Sequence, residues 1–165
     1  MNQTKLTHTS NVLTLERTIN APKDKVWEAW TNPDVFAKWW GPRGWETTVK
    51  HMDFNPGGYL LYGMKCVDEN QGEWYGQESW GKMEYEAIDP QASFTYTDYF
   101  TDENGKVTEG MPAAKATVAF EEVDGKTKMT NVTTYPTEAE LTKVLEMGME
   151  EGIKQTIDRL EELLQ

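Results

Sequence analysis

The stretch that decides the fold is the last one, Thr137-Glu-Ala-Glu-Leu-Thr-Lys-Val-Leu-Glu-Met-Gly-Met-Glu-Glu-Gly-Ile-Lys-Gln-Thr-Ile-Asp-Arg-Leu-Glu-Glu-Leu-Leu-Gln165. Its apolar residues recur at helical spacing, so it reads as one long amphipathic helix. Thr137 and Glu140 form a capping box at its start. From Trp45 to Thr134 the chain instead reads as strands and turns. A single helix after a run of antiparallel strands must lie on the sheet, because neither can bury its apolar face alone. Gly148 and Gly152 fall on the buried stripe of that helix. In a helix interior each glycine costs about 1 kcal/mol relative to alanine. Two such costs on one face predict a cavity between helix and sheet.

Working outward, 165 residues suit one domain with a substantial core. A net charge of −12 argues against a nucleic-acid partner. Cys66 is the only cysteine, so no internal disulfide can form. The first residues lack the apolar core of a secretory signal. No apolar run approaches the length of a membrane span, so no membrane partner is expected and the cytoplasm is the expected compartment. Residues 1–11 are polar and read as a flexible segment, with the domain running over residues 12–165.

Val12 to Ile19 alternates Leu13, Leu15, Arg17 and Ile19 against polar neighbours and predicts a half-buried strand. Ala21-Pro22 opens a helix that places Val26, Trp27 and Trp30 on one face. Asn32-Pro33 caps a second short helix presenting Val35, Phe36, Trp39 and Trp40, which Gly41-Pro42 stops. Further strands are expected at Glu46–Phe54, Tyr59–Val67, Glu73–Ile88, Ala92–Phe100, Ala113–Glu122 and Lys126–Thr134. A bulge at Gly76 or Gly81 would break the longest of them. Asp124-Gly125 is the strongest hairpin signal.

This order of elements resembles the helix-grip fold of the START and birch-pollen-allergen proteins: an α+β domain with a curved antiparallel sheet wrapped around a long C-terminal helix. Narrower matches are Arg17-Thr-Ile-Asn-Ala-Pro22 with Val26-Trp-Glu-Ala-Trp-Thr31, Trp39-Trp-Gly-Pro42, Asp53-Phe-Asn-Pro-Gly-Gly58, and Gly148-Met-Glu-Glu-Gly152 with Leu160 and Leu164. Together they resemble the homologues of the activator of heat-shock protein 90 ATPase. The resemblance implies the fold. Its functional implications span binders, enzymes and partner modules.

No nucleophile elbow, phosphate loop, dinucleotide fingerprint or zinc-ligand spacing occurs, so no catalytic residue, metal or cofactor is expected. Aromatic residues carry the stronger signal. Trp27, Trp30, Phe36 and Phe120 are expected in the core. Trp39 and Trp40 are adjacent, so one packs while the other lines the cavity or its mouth. Trp74 and Trp80 stand among glycines and suit a cavity wall or rim, with plain sheet packing as the alternative. Met83 and Tyr85 share a face with Ala87 and point to the same interior. Phe94 and Tyr96 face inward, which carries Asp98 inward unless it ends the strand in solvent. Leu145, Gly148, Met149 and Gly152 complete the candidate lining from the helix side.

The expected function is binding of a small, largely hydrophobic or aromatic molecule. Two other readings stay open. One is a module that docks on a chaperone. The other is an enzyme working by general acid–base chemistry with Asp98, Tyr85 or His51.

Overall fold

The structure, a computed structural model, describes residues 3–165. Among them eight strands form one antiparallel sheet: β1 Lys5–Thr9, β2 Val12–Ile19, β3 Trp45–Met52, β4 Tyr59–Cys66, β5 Glu78–Asp89, β6 Ser93–Thr101, β7 Ala114–Val123 and β8 Lys126–Thr134. Their spatial order is β1-β2-β8-β7-β6-β5-β4-β3. Strands β3 to β8 are laid down in sequence, and β8 closes against β2. Helices α1 (Lys23–Thr31) and α2 (Pro33–Trp39) carry the chain from β2 to the far edge at β3. Helices α3 (Glu138–Glu146) and α4 (Met149–Leu164) follow the sheet. This is the α+β helix-grip arrangement, a curved sheet around C-terminal helices.

The local signals act as their chemistry requires. Asn32 accepts a hydrogen bond from the Asp34 amide at 3.0 Å and caps α2. Thr137 accepts from the Glu140 amide at 3.1 Å and caps α3. Asp124 and Gly125 take φ of 52° and 79°, the left-handed pair of a tight hairpin between β7 and β8.

Five expectations are corrected. The final helix is broken, because Gly148 adopts φ +84°. Its amide closes the last turn of α3 on the Leu145 carbonyl at 3.1 Å, and its own carbonyl accepts the first bond of α4. Gly148 is therefore a stop glycine, whose backbone needs the left-handed region, and not an interior one. Lys5–Thr9, expected to be flexible, pairs with β2 as an edge strand, in register from Lys5 opposite Glu16 to Thr9 opposite Val12; Met1 and Asn2 lie outside the described residues. Glu69–Trp74 winds into a 3₁₀ turn, so the long strand begins at Glu78 and not at Glu73. The bulge in β5 falls between Tyr85 and Ile88, which turns Ala87 outward. A second bulge, between Val49 and His51, removes His51 from the face of Val49 and leaves it exposed against the Tyr59 ring at 4.3 Å.

The core is aromatic. Trp27 meets Phe54, Phe94 and Phe120 edge-on, with centroids 5.7, 5.9 and 5.6 Å away. Trp30 lies 5.0 Å from Trp39 and donates its indole N–H to the Met129 sulfur at 3.4 Å. Beside this core runs a buried ion pair. Arg17 donates from Nε and Nη2 to Glu161 Oε1 at 3.2 and 2.6 Å, and from Nη1 to Asp158 at 2.8 Å. The Asn20 amide donates to the other Glu161 oxygen at 2.7 Å. The Arg17 and Glu161 side chains are 0% and 1% exposed. Removing one member of such a pair strands the other charge away from water. Glu161→Ala is expected to cost about 3–5 kcal/mol in urea denaturation. Replacing both partners with apolar residues (Arg17→Met with Glu161→Leu) should recover most of that loss.

Candidate functional site: a cavity under the C-terminal helices

Charged residues tether the C-terminal half of α4. Besides Glu161 and Asp158, Arg159 donates to the carbonyls of Gly41 at 2.7 Å and Lys38 at 3.2 Å, tying α4 to the end of α2. Arg43 pairs with Glu162 through both guanidinium nitrogens, at 3.1 and 2.5 Å. Among the described residues, the N-terminal half of α4 has no such charged ties to the sheet floor. There the helix stands off the sheet over a half-enclosed cavity of about 370 Å³.

The floor of the cavity is Leu13 and Leu15 of β2, Tyr62 of β4, Tyr96 and Asp98 of β6, and Asn131 and Thr133 of β8. Its roof is Met147, Gly148, Met149, Gly152, Ile153 and Thr156. Trp30 and Trp40 close the side toward the clip helices. A Cβ added to Gly152 would find nothing within 4 Å, and Gly152 lies inside a regular helix. The missing side chain is part of the space.

Of the residues singled out in the sequence, Trp40, Tyr96, Asp98, Gly148, Met149 and Gly152 line this one cavity. The rest lie elsewhere. Trp39 is fully buried, donating to the Ala29 carbonyl at 2.9 Å. Met83 and Tyr85 are buried in the aromatic core, where Tyr85 packs 4.7 Å from Phe54. Leu145 packs on the small cluster around Leu141 and Val144. Trp74 is exposed. Trp80 lies on the outer face over Gly63, whose absent side chain the indole replaces at 2.6 Å. The depression beside Trp80 is open to solvent and mixes charged groups, Glu78, Asp102 and Glu103, with the apolar Phe100 and Met111.

Sequence reasoning missed Tyr62, Tyr135 and the β8 residues. For Tyr62 a signal existed. Gly81 sits opposite it across β4 and β5, and a Cβ there would meet the Tyr62 hydroxyl at 2.5 Å. The glycine makes room for the ring. With His51 outside and Tyr85 in the core, the acid–base reading retains only Asp98 in the cavity.

Asp98 is the cavity's distinctive group. Its Oδ1 is shut off from solvent and has no hydrogen-bond partner among the described residues. Burial lifts its carboxyl from an ordinary 3.8 to about 7, and the Tyr62 hydroxyl offsets only part of this. Burial likewise raises the phenols of Tyr62 and Tyr96, and the charge of Asp98 adds to it. Tyr135 is pushed up to about 12 for the same two reasons.

Comparison with known proteins bears on this geometry. Residues 20–165 match the family model described as activator of Hsp90 ATPase homolog 1-like protein. The chain belongs to this family. A protein from Mycobacterium smegmatis, solved by crystallography, is 31% identical, superposes with a TM-score of 0.87, and is aligned over 99% of this chain and 97% of its own. A protein from Staphylococcus epidermidis, solved in solution, is also 31% identical, with a TM-score of 0.82 over 97% and 93% of the two chains. One from Arthrobacter aurescens is 27% identical, with a TM-score of 0.87 over 97% and 90%. No curated protein matches. The family assignment covers the whole cavity roof and most of its floor; Leu13 and Leu15 precede the matched residues.

The raised carboxyl has a measurable consequence. Folded Asp98 holds a proton that the unfolded chain releases near its ordinary 3.8. The native state then binds more protons than the unfolded state, so this group's contribution to stability falls as pH rises from about 4 to about 7 and levels off above. Asp98→Asn removes that dependence. The variant is expected to gain on the parent across this window, reaching roughly 2–4 kcal/mol above pH 7, since each tenfold change in ionisation constant is about 1.4 kcal/mol. Urea denaturation of both proteins at several pH values measures the difference.

Proposed function

We propose that this protein binds a small, largely hydrophobic or aromatic molecule in the cavity between its sheet and its C-terminal helices. The supporting observation is the half-enclosed space of about 370 Å³ beneath Gly152, with walls that are mostly apolar and few polar groups. Empty apolar volume normally costs stability, by about 24 cal/mol per Å³ in a core. A fold that keeps it, and keeps a glycine in a helix beside it, has a use for the space. Among the described residues no helix is long and apolar enough to cross a membrane. A cytoplasmic setting fits the lone, buried Cys66.

An apolar fluorescent probe tests the reading. Saturable binding at micromolar probe, with quenching of tryptophan emission through Trp40, is the expected result. Absence of saturable binding removes the proposal. Gly152→Leu fills the space and is expected to weaken the probe at least about tenfold. Gly152→Ala should leave binding intact and stabilise the fold by up to about 1 kcal/mol, because alanine is the better helix former. Gly148 is unsuited to this test, since its φ of +84° would strain any side chain.

A second reading has its own support. Trp74 and Tyr75 are 53% and 52% exposed on adjacent positions, and aromatic residues are favoured anchors of protein interfaces. The family description names a chaperone activator. Under this reading the protein raises the ATPase rate of a purified Hsp90, and replacing both Trp74 and Tyr75 with alanine abolishes the effect. An unchanged rate with the parent protein removes it.

A further inference from the structure

We propose that the cavity selects an amphipathic amine, whose protonated nitrogen sits against Asp98 while its apolar body fills the space beneath Gly152; this rests on the binding reading above. Asp98 Oδ1 is buried and has no hydrogen-bond partner among the described residues. A buried acceptor left without a donor costs about 1–3 kcal/mol, more for a charged group. Three other polar side chains of the cavity are already engaged as donors. Thr156 donates to the Gly152 carbonyl at 2.8 Å. Thr133 donates to the Asn131 side-chain oxygen at 3.2 Å. Tyr135 donates to the Met149 sulfur at 3.5 Å. Asp98 Oδ1 is left as an unspent strong acceptor.

Among the described residues, no lysine, arginine or histidine lines the cavity to meet Asp98. The titratable groups that share it with Asp98 are Tyr62 from β4, Tyr96 from β6 and Tyr135 just beyond β8. All three phenols are shifted upward and stay neutral at physiological pH. Helices α3 and α4 present only Val144, Met149, Gly152, Ile153, Thr156 and Ile157 to it from within their spans. The positive charge must therefore come with the guest.

The walls favour that charge over a neutral donor. Trp40 and Tyr62 meet at 5.7 Å and 76°, and Tyr96 flanks the carboxyl on its own strand. Aromatic faces attract a desolvated cation. A carboxylate-bearing guest such as a fatty acid would bring a second negative charge beside the unpartnered Asp98 Oδ1. The chain's net charge of −12 draws cations and repels anions at longer range as well. With an ammonium beside it, Asp98 ionises. Below pH 7 amine binding is then accompanied by release of the proton that the empty cavity holds.

Calorimetry on the full chain at pH 6 tests this with three probes of one shape: phenethylamine, phenethyl alcohol and phenylacetate. The amine is expected to bind at least about tenfold tighter than the alcohol, and phenylacetate most weakly. The amine's binding enthalpy should change between buffers of different ionisation enthalpy, reporting proton release, while that of the alcohol should not. In Asp98→Asn the preference for amine should vanish while the alcohol and the apolar probe still bind. Equal affinities for amine and alcohol, or a preference that survives in Asp98→Asn, overturn the amine assignment and leave the apolar-binding reading standing. Failure of all three probes together with the apolar fluorescent probe overturns both.

Discussion

The ion pair between Arg17 and Glu161 organises this molecule. It joins the second strand to the last helix across 144 residues of sequence and sits entirely out of water. Its energetic return is doubtful by itself, since two apolar residues could fill the same volume at similar cost. Its geometric return is clearer. A buried guanidinium accepts few arrangements, so the pair sets where along the sheet the helix lies and how it is rotated. Arg159, bonded to the end of α2, and Glu162, paired with Arg43 in the loop after it, act on the same half of the helix. Nearer Gly148 the helix is held by apolar packing through Met149 and Ile153 instead, and the cavity is the space left beneath Gly152.

Glycine and aromatic residues divide the sheet's labour in a paired way. Gly63 faces Trp80 on the outer surface, and Gly81 faces Tyr62 on the inner one. Each glycine gives up its own packing so that a large ring can lie flat across the strand. One exchange covers the sheet's back. The other brings a phenol beside Asp98. The same sequence feature thus serves solvent shielding on one face and cavity construction on the other.

The fold was legible because its largest signals are periodic. Strand alternation from Val12 to Ile19, the capped clip helices and the Asp124-Gly125 hairpin depend on local chemistry that a sequence displays. Asp98 was legible in the same way, through its spacing from Phe94 and Tyr96. What escaped depends on partners distant in sequence or on a single dihedral angle. A bulge at one residue turned His51 outward, and no local pattern announces it. Lys5–Thr9 looks too polar for a strand, yet an edge strand needs only backbone pairing with β2 and one inward apolar residue, Leu6. Gly148 and Gly152 looked alike on a helical wheel. One is glycine for its backbone and the other for its missing side chain, and only coordinates separate them. Trp39 and Trp40 likewise had to diverge, but which of them reached the cavity was decided by the Ala29 carbonyl that captures Trp39.

The break at Gly148 also shapes how α4 holds together. A continuous helix would share its hydrogen bonds across the junction, and fraying would have to begin at a distant end. Here α4 begins afresh beside the cavity, with its first turn over empty space and its last turns locked by buried charge. Protection of its amides against exchange with solvent should therefore form a gradient, shallow near Met149 and approaching the global limit around Leu160. Local opening of the segment over the cavity is therefore expected to cost less than unfolding of the domain, with the anchored half of the helix undisturbed.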